Sequence, residues 1–343
     1  SQFASFSSLS GAPVQIDFAG GMRFDGQVAR YEQQVTVHSQ AQTVRPDHPH
    51  GLETCRRELK TDVVTATLAQ PVDFAAEQIA NDAQVDTIAC LGPVLMTEQT
   101  GDNRGLVAAA SLTARDLSIR QTTGEIHAFG PGTLKSTRLD SGDPFPRRTA
   151  VKSNAAKTSD EPVYMRVDYE GDITGNLHQQ LVELHDDIRG VYGPVKRRDD
   201  ELPLNPNPIG PRQLVFSADK LQVSQAPNAD PSASSLEFRA AGQTRVDGQT
   251  FSATAHELCY VQGKGQLTLK GAGPNSGDGH NDAVLYYQPQ PGGPQNELRA
   301  GTITYWPATN QTEIDKARTF QVLDVGQPVA PPVNRNLPRP SPR

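Results

Sequence analysis

Two stretches of the chain, 141 residues apart, align without a gap. Residues 114–132 read ARDLSIRQTTGEIHAFGPG and residues 255–273 read AHELCYVQGKGQLTLKGAG. Six of the nineteen positions are identical: an alanine, a leucine, a glutamine and three glycines. Asp116 and Glu257 match in kind, as do Ile126 and Leu267. Looser copies start at Ala300, keeping Ile303, Tyr305 and Ile314 in frame, and at Ala218, resuming after an insertion at SLEFRAAG. A still looser copy starts at Leu52, with Arg56 where the alanine belongs. A second element, apolar residue then acid then glycine, recurs as Phe24-Asp25-Gly26, Tyr169-Glu170-Gly171 and Val246-Asp247-Gly248. The unit reads as strand, glycine turn, strand. One such hairpin cannot bury its apolar face alone, whereas a stack of them makes a continuous apolar stripe.

The residue pattern inside the copies has period two, the strand period. Leu117 and Ile119 share a face with Ile126 and Ala128, as do Leu258 and Tyr260 with Leu267 and Leu269, while Arg115, Arg120, Glu125 and His127 take the opposite one. The segments QVARYEQQVTVH, DVVTATLA and TEIDKARTFQV show the same alternation. The expectation is an all-β chain of repeated antiparallel hairpins, as one elongated unit or two in tandem. A single short helix is expected in DFAAEQIANDA, with Asp73 as its N-cap. Long polar loops are expected at Ser39–Gly51, Leu139–Pro162, Lys196–Arg212, Gln225–Ser234 and Gly273–Asp282. The organisation read from these is an N-terminal β half (1–138), a linker or long loop (139–162), a C-terminal β half (163–327), and a Pro/Arg-rich tail or linker (328–343).

Composition narrows the function. The balance of 32 basic and 39 acidic residues, net −7, lacks the basic excess of a nucleic-acid binder. The most apolar stretch, Thr87–Met96, is far shorter than a membrane span and is broken by Gly92-Pro93. No signal-peptide pattern follows Ser1, and the absence of an initiator Met reads as a processed or excised chain. Three cysteines, Cys55, Cys90 and Cys259, lack zinc spacing and are expected as small buried strand residues.

Several polar clusters carry residue types with possible chemistry. Asp47 with His48 and His50 sits in a proline-rich loop. His185-Asp186-Asp187 with Glu183 has metal-ligand residue types without a partner cluster elsewhere. Asp278, His280 and Asp282 alternate as in a calcium loop but lack an EF-hand's spacing and closing glutamate. Lys196-Arg197-Arg198 runs directly into Asp199-Asp200-Glu201, which neutralises it. No nucleophile elbow, phosphate loop or dinucleotide fingerprint occurs. The reading is therefore non-enzymatic, with no catalytic residues, no metal site and no cofactor.

The segment ADKLQV…LEFRAAGQTRVDGQTFSATAHELCYVQGKGQLTLKGAG resembles the OstA-like, LPS-assembly proteins of the periplasm, best over 213–324, recognisably over 105–135 and more weakly over 14–70. The resemblance implies a β-jellyroll of the "β-taco" kind whose apolar groove holds lipid acyl chains. It also implies a periplasmic or cell-envelope location, a lipopolysaccharide-like amphiphile as ligand, and edge strands able to pair with other β-jellyroll modules. The groove candidates are Leu117, Ile119, Ile126, Leu221, Val223, Leu236, Phe238, Leu258, Tyr260, Leu267, Leu269, Ile303 and Tyr305. The competing reading is a structural scaffold of the envelope or surface, built from the same repeats with a self-filled core.

Overall fold

The computed structural model describes residues 14–44, 52–72, 84–102, 105–139, 161–225, 236–261, 264–272, 282–288, 293–307, 309 and 311–322. These residues contain no α-helix, and no helix is long and apolar enough to cross a membrane. The expected helix after Asp73 lies outside the described residues, as do the Pro/Arg-rich tail and most of four expected loops.

All-β is the observed class. Among the described residues, twenty strands form one antiparallel network. They are β1 (Val14–Asp17), β2 (Met22–Phe24), β3 (Val28–Val44), β4 (Leu52–Leu68), β5 (Val85–Leu91), β6 (Val94–Asp102) and β7 (Gly105–Ala114). Next come β8 (Asp116–Arg120), β9 (Glu125–Phe129), β10 (Gly132–Leu139), β11 (Pro162–Tyr169), β12 (Asp172–Asn176), β13 (Leu181–Pro194) and β14 (Leu214–Gln225). The last are β15 (Leu236–Gly248), β16 (Phe251–Val261), β17 (Gln266–Lys270), β18 (Ala283–Tyr287), β19 (Asn296–Trp306) and β20 (Gln311–Val322).

The registers give these strands a simple order. Strand β4 pairs with β5 through Val63–Leu68 and with β6 through Thr54–Lys60, so β5 and β6 lie end to end along it. The same holds for β1 with β2, β7 with β8, β9 with β10, β11 with β12, and β17 with β18. Strands β3, β4, β13 to β16, β19 and β20 run through unbroken. The result is a meander of fourteen long strands, each antiparallel to the next in the chain. Around the broken strands the pairings close a ring of ten, running from β4 through β6, β7, β10 and β11 to β13 and back through β12, β9, β8 and β5. Pairing continues across the 139–162 segment through β10 and β11, so the two expected halves share one sheet.

A transverse crease divides every long strand in two. At the crease, strands of one direction spend two residues where their neighbours spend one. Gln33-Gln34 on β3 oppose Asp62 on β4, and Asp186-Asp187 on β13 oppose Asp219 on β14, which also faces Gly242-Gln243 on β15. Two against one is a β-bulge, which bends the strand. All six of those paired residues have left-handed φ, between 27° and 72°. We call the half carrying β8, β9, β12 and β17 arm one, and the half carrying β6, β7, β10, β11 and β18 arm two.

The crease turns the apolar faces of both arms toward each other. Cross-strand partners on arm one form an unbroken row: Val64, Cys90, Leu117, Ala128, Ile173, Leu184, Leu221, Ala240, Leu258, Leu269 and Ile303. Arm two answers with Leu59, Met96, Leu112, Leu134, Val167 and, beyond Gly190, Phe216 and Val246. Both rows belong to one core cluster, which a flat sheet exposing that face to water could not form. Burial of each large side chain contributes about 1.5–3 kcal/mol.

The aligned alanines all fall beside the crease. Ala114, Ala218, Ala255 and Ala300 stand in the arm-two row next to the bend, together with Thr61, Gly132 and Thr244. Val94, Tyr169 and Ile188 share this row through their pairing with Ala114, Gly132 and Ala218, so it mixes small side chains with large buried ones. The looser copy from Leu52 is out of phase: Thr61, and not Arg56, holds the alanine's place. Two further expectations need correction. Ser39–Val44 belongs to β3, paired with Leu52–Arg57, and only the remainder of that expected loop separates β3 from β4. Of the cysteines only Cys90 is buried; burial pushes its thiol up to about 12. Cys55 and Cys259 are half-buried; Cys259 lies on the outer face against Glu237 at 3.4 Å.

A small second cluster sits outside arm two. The 196–212 loop lays Leu202 and Leu204 over Tyr164, Val191 and Val215, tied by Lys135 Nζ to Glu201 at 2.7 Å. Arg197 of the basic run pairs with Asp199 at 2.8 Å, so the local neutralisation read from sequence is what forms.

Candidate functional site

The two arms do not fill the space between them evenly. An apolar cleft opens between β10, β11 and β13 to β16 on arm two and β13 to β17 on arm one. Its cavity volume is about 100 Å³, below the roughly 300–1,000 Å³ of typical small-molecule sites, so it is a narrow slot and not a roomy pocket. Arm one supplies Leu184, Leu221, Val223, Phe238, Ala240, Leu258, Tyr260 and Leu267; arm two supplies Leu134, Met165, Val167, Tyr192, Leu214, Phe216, Val246 and Phe251. Ala240 is the small side chain of the arm-one wall, and Gly190 leaves room for the Phe216 ring against the arm-two backbone.

Charge is confined to the edge. Arg245 borders the cleft but turns outward to Asp247 at 2.7 Å. Arg138 points inward: on β10 it follows Leu134 and Ser136 on the inner side, at the end farthest from the crease. Farther toward the N-terminus the inner wall of arm two carries Arg57 and Glu98, paired at 2.8 Å and largely buried.

Of the thirteen groove candidates, Leu221, Val223, Phe238, Leu258, Tyr260 and Leu267 line the cleft. Leu117, Ile119, Ile126, Leu269, Ile303 and Tyr305 face the same interior but are packed into solid core on either side of it. Leu236 starts β15, and its side chain lies outside the described residues. Every candidate falls on arm one. The aligned copies begin at the crease and run into that arm, so the arm-two wall stays outside the comparison. Its alternation was nonetheless visible in PVYMRVDY and LVFSAD.

The polar clusters separate from the cleft. His185-Asp186-Asp187 is the crease bulge of β13; His185 Nε2 sits 3.3 Å from Thr174 Oγ1, and Glu183 pairs with Lys220 at 2.8 Å. No group of three metal-ligating side chains occurs among the described residues. Asp47, His48, His50, Asp278 and His280 lie outside them. A shallow outer-face hollow on arm one holds His127, whose Nε2 is 2.8 Å from Asp172 Oδ2.

Comparison with protein-family models, with curated proteins and with solved structures finds no match.

Proposed function

We propose that the protein is a non-enzymatic lipid-binding protein of the cell envelope, holding an acyl chain of an amphiphile between its two arms. The observation that carries this reading is the cleft itself, walled by aliphatic and aromatic side chains from both arms and bordered by charge only at its edge. Such a wall binds methylene chains without specific polar contacts, since each buried CH₂ contributes about 0.8 kcal/mol. Arg138 at the rim suits an amphiphile whose head is acidic. The likeness of the repeats to OstA-like lipopolysaccharide-transport proteins supports the same ligand class, a periplasmic setting and edge pairing with other β-jellyroll modules.

The test is fluorescence enhancement of a dansyl-labelled fatty acid, with lipid extraction from protein purified out of a lipid A-producing host. Leu258→Arg, which puts a charge in the wall, and Val223→Phe, which fills the space with apolar atoms, should each abolish the enhancement. Binding that survives both changes overturns this site. A second reading, a structural scaffold with a self-filled core, draws on the solid packing to either side of the cleft. It predicts no enhancement by the unaltered protein and no recovered acyl species.

A further inference from the structure

The cleft ends abruptly toward the C-terminus. Its last lining residues are Phe251 on arm two and Leu267 on arm one. Beyond them Leu285, Leu298, Ile303 and Tyr305 are fully buried. The boundary is made by aromatic rings reaching across from opposite arms. Phe251 of β16 meets Tyr305 of β19 edge-on, centroids 5.5 Å apart, and Tyr287 of β18 meets the same Tyr305 ring at 6.2 Å. Phe251 and Tyr287 are cross-strand partners on arm two, so the clasp is two rings against one. On the other side of Phe251 the wall residues Leu214, Phe216, Phe238 and Tyr260 are only half-buried.

We propose that the Phe251–Tyr305–Tyr287 clasp is a stop that sets the length of acyl chain the cleft accepts. The inference rests on the acyl-chain reading above and adds specificity to it. Phe251 is the movable part of the argument, since it both lines the cleft and touches the clasp. A chain entering from the mouth gains affinity with every methylene until its end meets the Phe251 ring. Each methylene that finds room tightens binding roughly fourfold, and one that does not adds nothing. A cleft with a stop therefore holds a chain; it does not pass one along to the last strands of the sheet.

The experiment is competition of a homologous series of saturated fatty acids against the dansyl-labelled fatty acid, with the full chain. The unaltered protein should show affinity rising about fourfold per methylene and then levelling off at one length. Phe251→Ala should move the plateau to longer chains, gaining on the order of 16-fold over two further methylenes relative to the chain at the original plateau. Phe251→Leu carries the test if the alanine variant loses the β-sheet circular dichroism spectrum, with a smaller move in the same direction. A plateau at the same length in both proteins, or no plateau in the unaltered one, overturns the stop while leaving acyl binding intact. Failure of every chain length to displace the fluorescent fatty acid, with no enhancement to begin with, overturns the acyl reading itself.

Discussion

Replacing Gly242 with alanine probes the crease directly. Gly242 has φ +72°, and a Cβ placed on it would stand 2.8 Å from Asp219 Cβ and from its Cγ. The left-handed conformation costs an L-residue roughly 1–2 kcal/mol. Closeness to a Cβ, and not just to the end of a flexible side chain, adds a backbone adjustment. Against this, alanine narrows the unfolded ensemble and returns about 0.4–1 kcal/mol. The net expectation is a loss of about 1–2 kcal/mol. With a urea slope of ~3 kcal/mol/M, that moves the unfolding midpoint down by about 0.5 M. The single tryptophan, Trp306, reports the transition by fluorescence. Gly21→Ala is the control, because nothing lies within 4 Å of its Cβ and its φ is not left-handed; it should be neutral or slightly stabilising. Gly242→Asn separates the two causes: asparagine tolerates this φ but is larger, so it should cost less than alanine if conformation dominates. Equal midpoints for Gly242→Ala and Gly21→Ala would refute the claim that the bend depends on left-handed backbone.

Two further predictions concern charge. Glu98→Ala should cost about 3–5 kcal/mol by leaving Arg57 largely buried beside a missing carboxylate, whereas Arg57→Met with Glu98→Leu should recover most of the loss; equal stabilities for the single and double variants in urea unfolding would show the pair is not coupled. The hydrogen bond from Arg239 holds the Glu237 carboxyl below its ordinary value, with Cys259 adding to it. A lowered carboxyl pKa stabilises above the unfolded value of about 4.3, and the benefit fades as pH falls through the folded value. The urea-midpoint gap between the unaltered protein and Glu237→Gln should therefore be constant near neutrality and shrink in acid, and parallel profiles down to low pH would contradict the assignment.

The strand class and the inward faces were legible because they depend on nearest neighbours. Leu117, Ile119, Ile126 and Ala128 alternate in four consecutive inward positions, and the pleat alone decides their side. The crease was legible only in disguise, as the alanine that heads each copy. Its place beside the bend is a matter of register between neighbouring strands, which the alignment does not carry, so the alignment marked the residue without revealing where it stands. At Leu52 the same logic misled: a threonine does the alanine's work, and the match slid to Arg56. The cleft was half legible. Its arm-one wall lay inside the aligned copies, while Phe216 and Phe251 lay beyond them. Where the interior is open and where it is solid depends on facing side-chain volumes across the arms, which no single strand records.

The two-against-one bulges have a consequence for how the chain reaches this shape. Each long strand pairs only with the strands before and after it in the chain, so no pairing has to bridge distant parts of the sequence, although the long hairpins leave most contacts non-local. Assembly can spread like a zip from any stable hairpin, each new strand being shaped by the one already bent. A growing sheet would then inherit its bend, because a strand that placed its extra residue elsewhere would lose register with its neighbour and turn its apolar side outward. The crease is in this respect a template copied from strand to strand, and its conformational cost falls on one strand direction alone.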